Sequence, residues 1–175
     1  LNDTDTDALN LVNTMLTETL YSKILGTARE QGLVYGMNSG LSQTLAASNW
    51  WFGAQVSDKN ASPLLAIIVD ELGKVLAGDL KPEEIEATKQ YALGRFQRSA
   101  QTVGGTASGY AGRYFFDDVV DDYYRVPERI RAVTKQQIVD VATAMFADNI
   151  WGFGVLGNCG PDFVAQLQAQ LAPLW

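Results

Sequence analysis

The stretch GTAREQGLVYGMNSG, residues 26–40, decides the fold because the chain passes there from a helical to a strand pattern. Gly32 stands where the left-handed residue that closes a helix is expected. Arg29 lies in the last turn, where the helix dipole favours a cation. Beyond the glycine, apolar and polar residues alternate, so that Tyr35 and Met37 share one face. The sequence therefore predicts a helix followed at once by a strand.

The residues on either side extend these two elements. Upstream, apolar residues recur at intervals of three or four and predict one continuous helix with a single apolar stripe. Downstream, the run SNWWFGAQVS, residues 48–57, alternates again and predicts a second, antiparallel strand. The segment 39–47 between them is long enough for a hairpin loop, or for the strands to extend into it. The helical stripe consists of Leu9, Val12, Leu16, Leu20 and Ile24.

Caps and glycines mark further helices. Ser62 as a cap and Pro63 at the first helical position predict a helix that ends at Gly78. The run KPEEIEATKQY starts another helix, with acidic residues in the first turn where the helix dipole favours them. Thr134 and Gln137 form a capping box, which predicts a helix after residue 134.

The remaining segments complete an α+β pattern. The glycine-rich run VGGTASG, residues 103–109, breaks the helical pattern and predicts a flexible hinge. The run NIWGFGVLGN, residues 149–158, predicts a third strand, and Pro161 opens a closing amphipathic helix. Strands and helices are grouped rather than strictly alternating. This order predicts a two-layer α+β fold, with helices packed on one face of a small antiparallel or mixed sheet.

Composition narrows the classes of function. The 175 residues predict one domain, and 47% hydrophobic with 19% charged residues fits neither a disordered nor a membrane-spanning chain. A net charge of -7 with scattered basic residues argues against nucleic-acid binding. The chain has no histidine, which removes the usual general base and the commonest zinc ligand. Cys159 is its one cysteine, so no internal disulfide can form.

Two motifs could form either a metal- or ligand-binding site or an ordinary structural element. Asp117, Asp118, Asp121 and Asp122 place carboxylates at helical spacing, but the glycine and alternating donors of a cation loop are missing. We favour a solvated helix end over a divalent site, an acidic partner surface or a freestanding carboxylate enzyme. The aromatic runs WWFG and WGFG favour sheet packing over a ligand surface.

Several segments, in order and spacing, resemble the second, non-catalytic domain of the pitrilysin, insulinase and mitochondrial processing peptidase family. They are ALNLVNTMLTETLYSKILGTAREQGLVYGMNSG, LKPEEIEATKQYALGRFQRS, RIRAVTKQQIVDVATAMF and AQLAPLW. The resemblance covers nearly the whole chain from about Asp7.

The resemblance implies a role beside a zinc peptidase. In that family a His-x-x-Glu-His motif of a separate, homologous domain holds zinc, and its glutamate activates a water. The two halves enclose a peptide chamber, and the substrate adds as a strand to a sheet edge of the active half. This histidine-free chain corresponds to the inactive half, on the same chain as the catalytic domain or on a separate one. Alone it is expected to cleave nothing.

The resemblance also points to two substrate-binding residues. The family's inactive half contributes an arginine and a tyrosine from the corner between helix and strand, and the tyrosine donates a hydrogen bond near the scissile carbonyl. Tyr35 in GLVY matches the tyrosine. The family places the arginine where this chain has Ala28, and Arg29 is one position later, a rotation of about 100° on a helix. Tyr35 and Arg29 are therefore the candidates.

Two further expectations follow from the resemblance. Family domains open with a sheet strand before the first helix, whereas this chain starts in LNDTDTD. We expect residues 1–175 to be one domain cut from a longer protein, without its first strand, with an exposed sheet edge that promotes self-association. The alternative function is a structural scaffold, since inactive core subunits of respiratory complexes also belong to the family.

Overall fold

The structure is a computed structural model, and it describes residues 3–43, 48–120, 123–147 and 149–175. Within these residues it contains eight α-helices, two strands and two short 3-10 turns. The first helices and the strands are α1 (Asp3–Thr17), α2 (Lys23–Glu30), β1 (Val34–Gln43) and β2 (Ser48–Val56). The other elements are α3 (Asp58–Leu76), α4 (Pro82–Ser99), α5 (Val103–Asp117), a 3-10 turn (Tyr123–Arg125), α6 (Val126–Ala132), α7 (Lys135–Phe146), α8 (Pro161–Leu171) and a second 3-10 turn (Ala172–Leu174).

The α+β prediction is confirmed. β1 and β2 pair antiparallel, from Val34 opposite Val56 to Gln43 opposite Ser48, so the strands do extend into the predicted loop region. One face of this pair packs on the helices through Met37, Trp50 and other apolar residues. In the helical layer α1 contacts α2, α4, α6 and α7, while α3 contacts α2, α7 and α8. α1 therefore lies at the centre of the core.

The prediction of one continuous first helix is wrong. The chain leaves the helix after Thr17 and starts α2 at Lys23. In the turn between them the hydroxyl of Ser22 donates to the carbonyl of Thr19 at 2.6 Å. Leu20, one member of the predicted stripe, is 58% exposed, whereas Leu16 is fully buried. The apolar spacing continues from α1 into α2 because both helices bury apolar residues, such as Leu16 and Ile24, in the same core.

The predicted start of α3 is also wrong. The helix begins at Asp58, and Pro63 lies inside it rather than at its first position. The early turn is held from a distant segment, since the side-chain amide of Asn60 donates to the carbonyl of Leu33 at 3.1 Å. The predicted end is confirmed, because Gly78 adopts a positive φ of 69° just beyond the helix.

The predicted hinge at residues 103–109 is a helix instead. Thr102 caps α5 by accepting a hydrogen bond from the backbone N–H of Gly105 at 3.0 Å. The ring of Tyr123 lies directly against Gly109, where an added Cβ would be 2.1 Å from the ring. Gly109 therefore serves close packing on a helix rather than backbone mobility.

The third strand predicted at residues 149–158 does not form within the described residues, because no neighbouring strand pairs with it. Its aromatic residues still pack inward: Trp151 and Phe153 contact the core, and Trp151 stacks on Trp175 with ring centroids 4.4 Å apart. The other helix predictions are confirmed, including the capping box of Thr134 and Gln137 at the start of α7.

The break between α1 and α2 predicts unequal effects of two identical truncations. We expect Leu16→Ala to lower the free energy of unfolding by about 3 kcal/mol, because it empties a buried site. Leu20→Ala, four residues later in the same pattern, should cost about 0.5 kcal/mol or less because that side chain is largely solvated. Urea denaturation followed by circular dichroism measures both. Equal losses would mean that Leu20 belongs to the buried stripe.

Candidate functional site

The corner between α2 and β1 is closed as the sequence predicts. Gly32 has a φ of 64°, and its N–H donates to the carbonyl of Arg29 at 3.0 Å. The next N–H, that of Leu33, donates to the carbonyl of Ala28 at 2.8 Å. These two bonds satisfy carbonyls at the end of the helix and turn the chain directly into the strand. The side-chain amide of Asn60 on α3 adds a hydrogen bond to the carbonyl of Leu33 from outside the corner.

Tyr35 is the most prominent side chain of this corner. β1 carries an irregularity between Val34, which faces Val56, and Gly36, which faces Gln55, so Tyr35 is an extra residue in the strand. Such a bulge breaks the alternation of side chains. Tyr35 is 91% exposed while Met37 is 6% exposed, so the prediction that they share one face is wrong. The bulge presents the tyrosine ring to solvent.

Arg29 lies on the exposed side of the last turn of α2, whereas Ala28 is fully buried. An arginine at position 28 in this helix register would enter the core. The cation is therefore carried one residue later, on the solvent side, where its side chain makes no ion pair with any described residue. The structure brings Arg29 and Tyr35 to the same corner, and both are available to a ligand.

A network of charges anchors α2 to its neighbours. The ammonium of Lys23 lies 2.9 Å from a carboxylate oxygen of Glu84 on α4 and 3.4 Å from one of Glu71 on α3. Burial raises the pKa of Glu84, but hydrogen bonds from Lys23 and from the backbone N–H of Lys81 outweigh it and hold the pKa below 4.5. Partial burial lowers the pKa of Lys23, and the two carboxylates more than offset it. The network fixes the helix that carries the corner.

A buried amide connects α1 to the hairpin. The side-chain oxygen of Asn13 accepts hydrogen bonds from the hydroxyl of Ser39 on β1 at 2.7 Å and from the indole N–H of Trp50 on β2 at 2.8 Å. Thr17, one turn later, also contacts the Ser39 hydroxyl. Sequence reasoning missed these residues. Their sequence signal is weak, because α1 carries other polar residues, such as Asn10 and Thr14, at neighbouring positions.

The described residues of this chain do not supply the donor set of a zinc site. The sequence holds no histidine. Among the described residues, no three Cys, Asp or Glu side chains are grouped so that they could hold a metal. Asp118 ends α5 in a left-handed conformation with a φ of 56°, while Asp121 and Asp122 lie outside the described residues. The prediction of a solvated helix end at Asp117 to Asp122 therefore stays a prediction.

Comparison with family models matches residues 1–91 to the peptidase M16 inactive domain, which is just over half of the chain. The chain belongs to the M16 inactive-domain family. The resemblance drawn from the sequence segments is thereby confirmed. No curated protein matches the chain significantly. In the described part of the chain no helix is long and apolar enough to cross a bilayer.

Solved structures share the fold of this M16 domain. The inactive peptidase domain of a candidate zinc protease from Bordetella parapertussis superposes with a TM-score of 0.65 at 18% identity, over 82% of this chain and 78% of that one. An M16 inactive domain from Pseudomonas fluorescens gives 0.66 at 22% identity, and a protease from Helicobacter pylori gives 0.68 at 17%. The matches cover 82% and 84% of this chain but 34% and 36% of those two. The M16 domain thus spans about a third of these longer chains.

The positive φ of Gly32 predicts a purely conformational penalty. A Cβ at Gly32 or at Gly36 would meet nothing within 4 Å, but Gly32 alone of the two is left-handed. We expect Gly32→Ala to lower the free energy of unfolding by about 1 to 2 kcal/mol. Gly36→Ala should leave it unchanged or raise it by about 0.5 kcal/mol. Thermal and urea unfolding measure the pair, and equal effects would contradict the cap.

The lowered pKa of Glu84 predicts pH-dependent stability. A carboxyl group whose pKa is depressed by folding stabilises the protein above its unfolded pKa, and this contribution is lost as the pH falls through the folded pKa. Glu84→Gln should therefore destabilise the domain at neutral pH and have a shrinking effect below pH 4.5. Urea midpoints across this range measure it. Glu83→Gln, at the exposed neighbouring residue, is the control. An equal pH dependence of its effect would contradict the role of the lowered Glu84 pKa.

Proposed function

We propose that this M16 domain is the inactive half of a zinc metalloendopeptidase, where it forms part of the wall of the peptide chamber. Membership of the inactive-domain family supports this proposal, as does a sequence without imidazole. The catalytic half, on the same or a separate chain, would supply the zinc through its His-x-x-Glu-His motif and thereby activate water for attack on the peptide bond. This chain contributes binding surface and orientation.

The exposed position of Tyr35 on the bulge of β1 is the observation that best supports the proposed role in substrate binding. Its ring stands on a bulge at the end of a sheet, which is a common place for a side chain re-aimed toward a site. The phenol O–H can donate to a carbonyl oxygen. A donor placed at the scissile carbonyl stabilises the negative charge that develops as water attacks. Tyr35 thus has the exposure and the chemistry for this position.

Arg29 supports Tyr35 as a second donor at the same corner. Its guanidinium is exposed and makes no ion pair with the described residues. No existing ion pair therefore has to break before it binds a ligand. A guanidinium can donate two parallel hydrogen bonds to a terminal carboxylate, or a hydrogen bond to the oxygen of a peptide carbonyl. We assign it to peptide binding rather than to the reacting carbonyl, because its long side chain is less rigidly placed than the tyrosine ring.

The scaffold alternative differs from this proposal in one respect that can be measured. A scaffold subunit binds its neighbours without affecting turnover at a peptide bond. Nothing in the corner favours the scaffold, because an exposed tyrosine and an unpaired arginine do not stabilise this domain by themselves.

The test is a substitution in the two-domain enzyme reconstituted from this chain and its catalytic half. We expect Tyr35→Phe to lower kcat by about 10- to 1,000-fold, with a much smaller change in KM, because the lost hydrogen bond strengthens only in the transition state. Initial rates on a fluorogenic peptide measure both constants.

The control is Tyr114→Phe, the same change at an exposed tyrosine on α5, which should leave kcat and KM unchanged. Arg29→Ala should raise KM more than it lowers kcat. Unchanged turnover by Tyr35→Phe in a complex that assembles normally would contradict the role of the tyrosine. Cleavage by this chain alone would contradict the inactive-half assignment as a whole.

A further inference from the structure

The β1–β2 hairpin has a second face, which points away from the helices and which we call the outer face. Trp50 and Phe52 pack toward the core. Because side chains alternate along a strand, Trp51 between them points to the outer face, where it is 47% exposed. No residue of 36–42 or 49–55 carries a charge. The outer face is therefore an uncharged surface on which one large side chain meets the solvent.

The indole of Trp51 rests on the backbone of two glycines. Gly40 lies directly opposite Trp51, and a Cβ at Gly40 would be 3.1 Å from the ring. A Cβ at Gly53 would be 3.6 Å from it. The ring thus leans over β1, away from the open edge of β2. A further strand at that edge would pair in the plane of the sheet and would not lie over the ring.

The free side of this indole distinguishes Trp51 from the other tryptophans. Trp50 contacts the ring of Phe52, and Trp151 stacks on Trp175. Within the part of the chain that the structure describes, Trp51 contacts no other aromatic ring. One side of its indole packs on the sheet, and the other side is open to a ligand.

An open platform of this kind favours a cation over an apolar side chain. The glycines around the ring supply no walls, since a Cβ at Gly36 would meet nothing within 4 Å. An aliphatic side chain on the indole would stay largely hydrated and gain little from burial. A guanidinium gains from stacking on an indole while its edge stays in water. The net charge of -7 adds a long-range attraction for cations.

Trp51 and the substrate-binding candidate Tyr35 lie on the same hairpin. Gly40, the residue opposite Trp51, follows Tyr35 by five positions on β1. This separation is roughly 16 Å along a strand, which an extended peptide spans in about five residues. A substrate whose scissile carbonyl is held at Tyr35 thus reaches Trp51 with a side chain about five residues away.

We propose that Trp51 is a specificity-determining residue, which stacks on a basic side chain of the substrate about five residues from the scissile bond. This assignment rests on the proposed function and names basic peptides as its substrate class. Arginine is preferred over lysine, because a planar guanidinium stacks on an indole more closely than an ammonium group does.

The first test uses this chain alone and follows its tryptophan indole N–H signals by NMR. The chain has four tryptophans, and the signal that is lost in Trp51→Phe belongs to Trp51. The probe is the blocked peptide acetyl-GGRGG-amide, which should shift that signal in a saturable way. The same peptide with citrulline in place of arginine lacks the charge and should bind about threefold more weakly. The absence of a saturable shift, or equal affinity for both peptides, would overturn the proposal.

The second test uses the two-domain enzyme and substrate pairs that differ only by arginine or citrulline at one position. At about five residues from the cleaved bond, arginine should raise kcat/KM about threefold, mainly through KM. Trp51→Leu should abolish most of this preference, and Trp51→Phe should keep part of it. Both substitutions leave the net charge unchanged, so the altered preference isolates the ring. Tyr21→Leu, at an exposed ring before α2, is the matched control and should keep the full preference.

The outcomes separate this proposal from the proposed function. If the ring only covers Gly40, Trp51→Leu will lower stability but leave the arginine preference intact, which would reject the platform. A retained effect of Tyr35→Phe on kcat would then leave the proposed function standing. No cleavage of any peptide by the assembled complex would contradict the proposed function itself. Circular dichroism confirms that each variant is folded, and Trp51→Phe remains informative if Trp51→Leu is not.

Discussion

The hydrogen bonds of the buried Asn13 side chain join the helical and sheet layers of this domain. One oxygen atom on α1 accepts from Ser39 on β1 and from Trp50 on β2, so a single group fixes both strands. Losing this acceptor would leave the indole N–H of Trp50 without its hydrogen-bond partner, whereas the Ser39 hydroxyl would keep its contact with Thr17. The side-chain amide also donates to Glu18, which is paired with Arg95 of α4. The hairpin, α1 and α4 are thereby tied together.

Two surface features of the domain follow from this attachment. At one end of the hairpin, the cap at Gly32 and the bulge at Tyr35 expose a donor to solvent. Along its free edge, the same hairpin leaves the apolar floor of α3 and α8 uncovered beside residues 149–157. A rigidly held strand pair is required at the corner, because a side chain binds specifically only when its position is fixed.

Membership of the M16 inactive-domain family supports the proposed division of roles between this domain and a catalytic half. In the proposed function, this histidine-free domain places the peptide and the catalytic half supplies the metal chemistry. Arg29 and Tyr35 are the side-chain donors that the proposed function assigns to the peptide.

The sequence by itself determined the features that depend on neighbouring residues: the cap at Gly32, the capping box at Thr134, the helical stripes, the two alternating strands and the absence of imidazole. Family segments extended this to the candidate pair of Arg29 and Tyr35. Only the tertiary structure decided the turn before α2, the early start of α3, the helix through the glycine-rich run, the outward bulge of Tyr35 and the missing pairing of residues 149–158. These depend on contacts between distant residues, such as Asn60 with Leu33 or Gly109 with Tyr123. Periodicity records which side of an element is buried, but it does not record what the element is buried against.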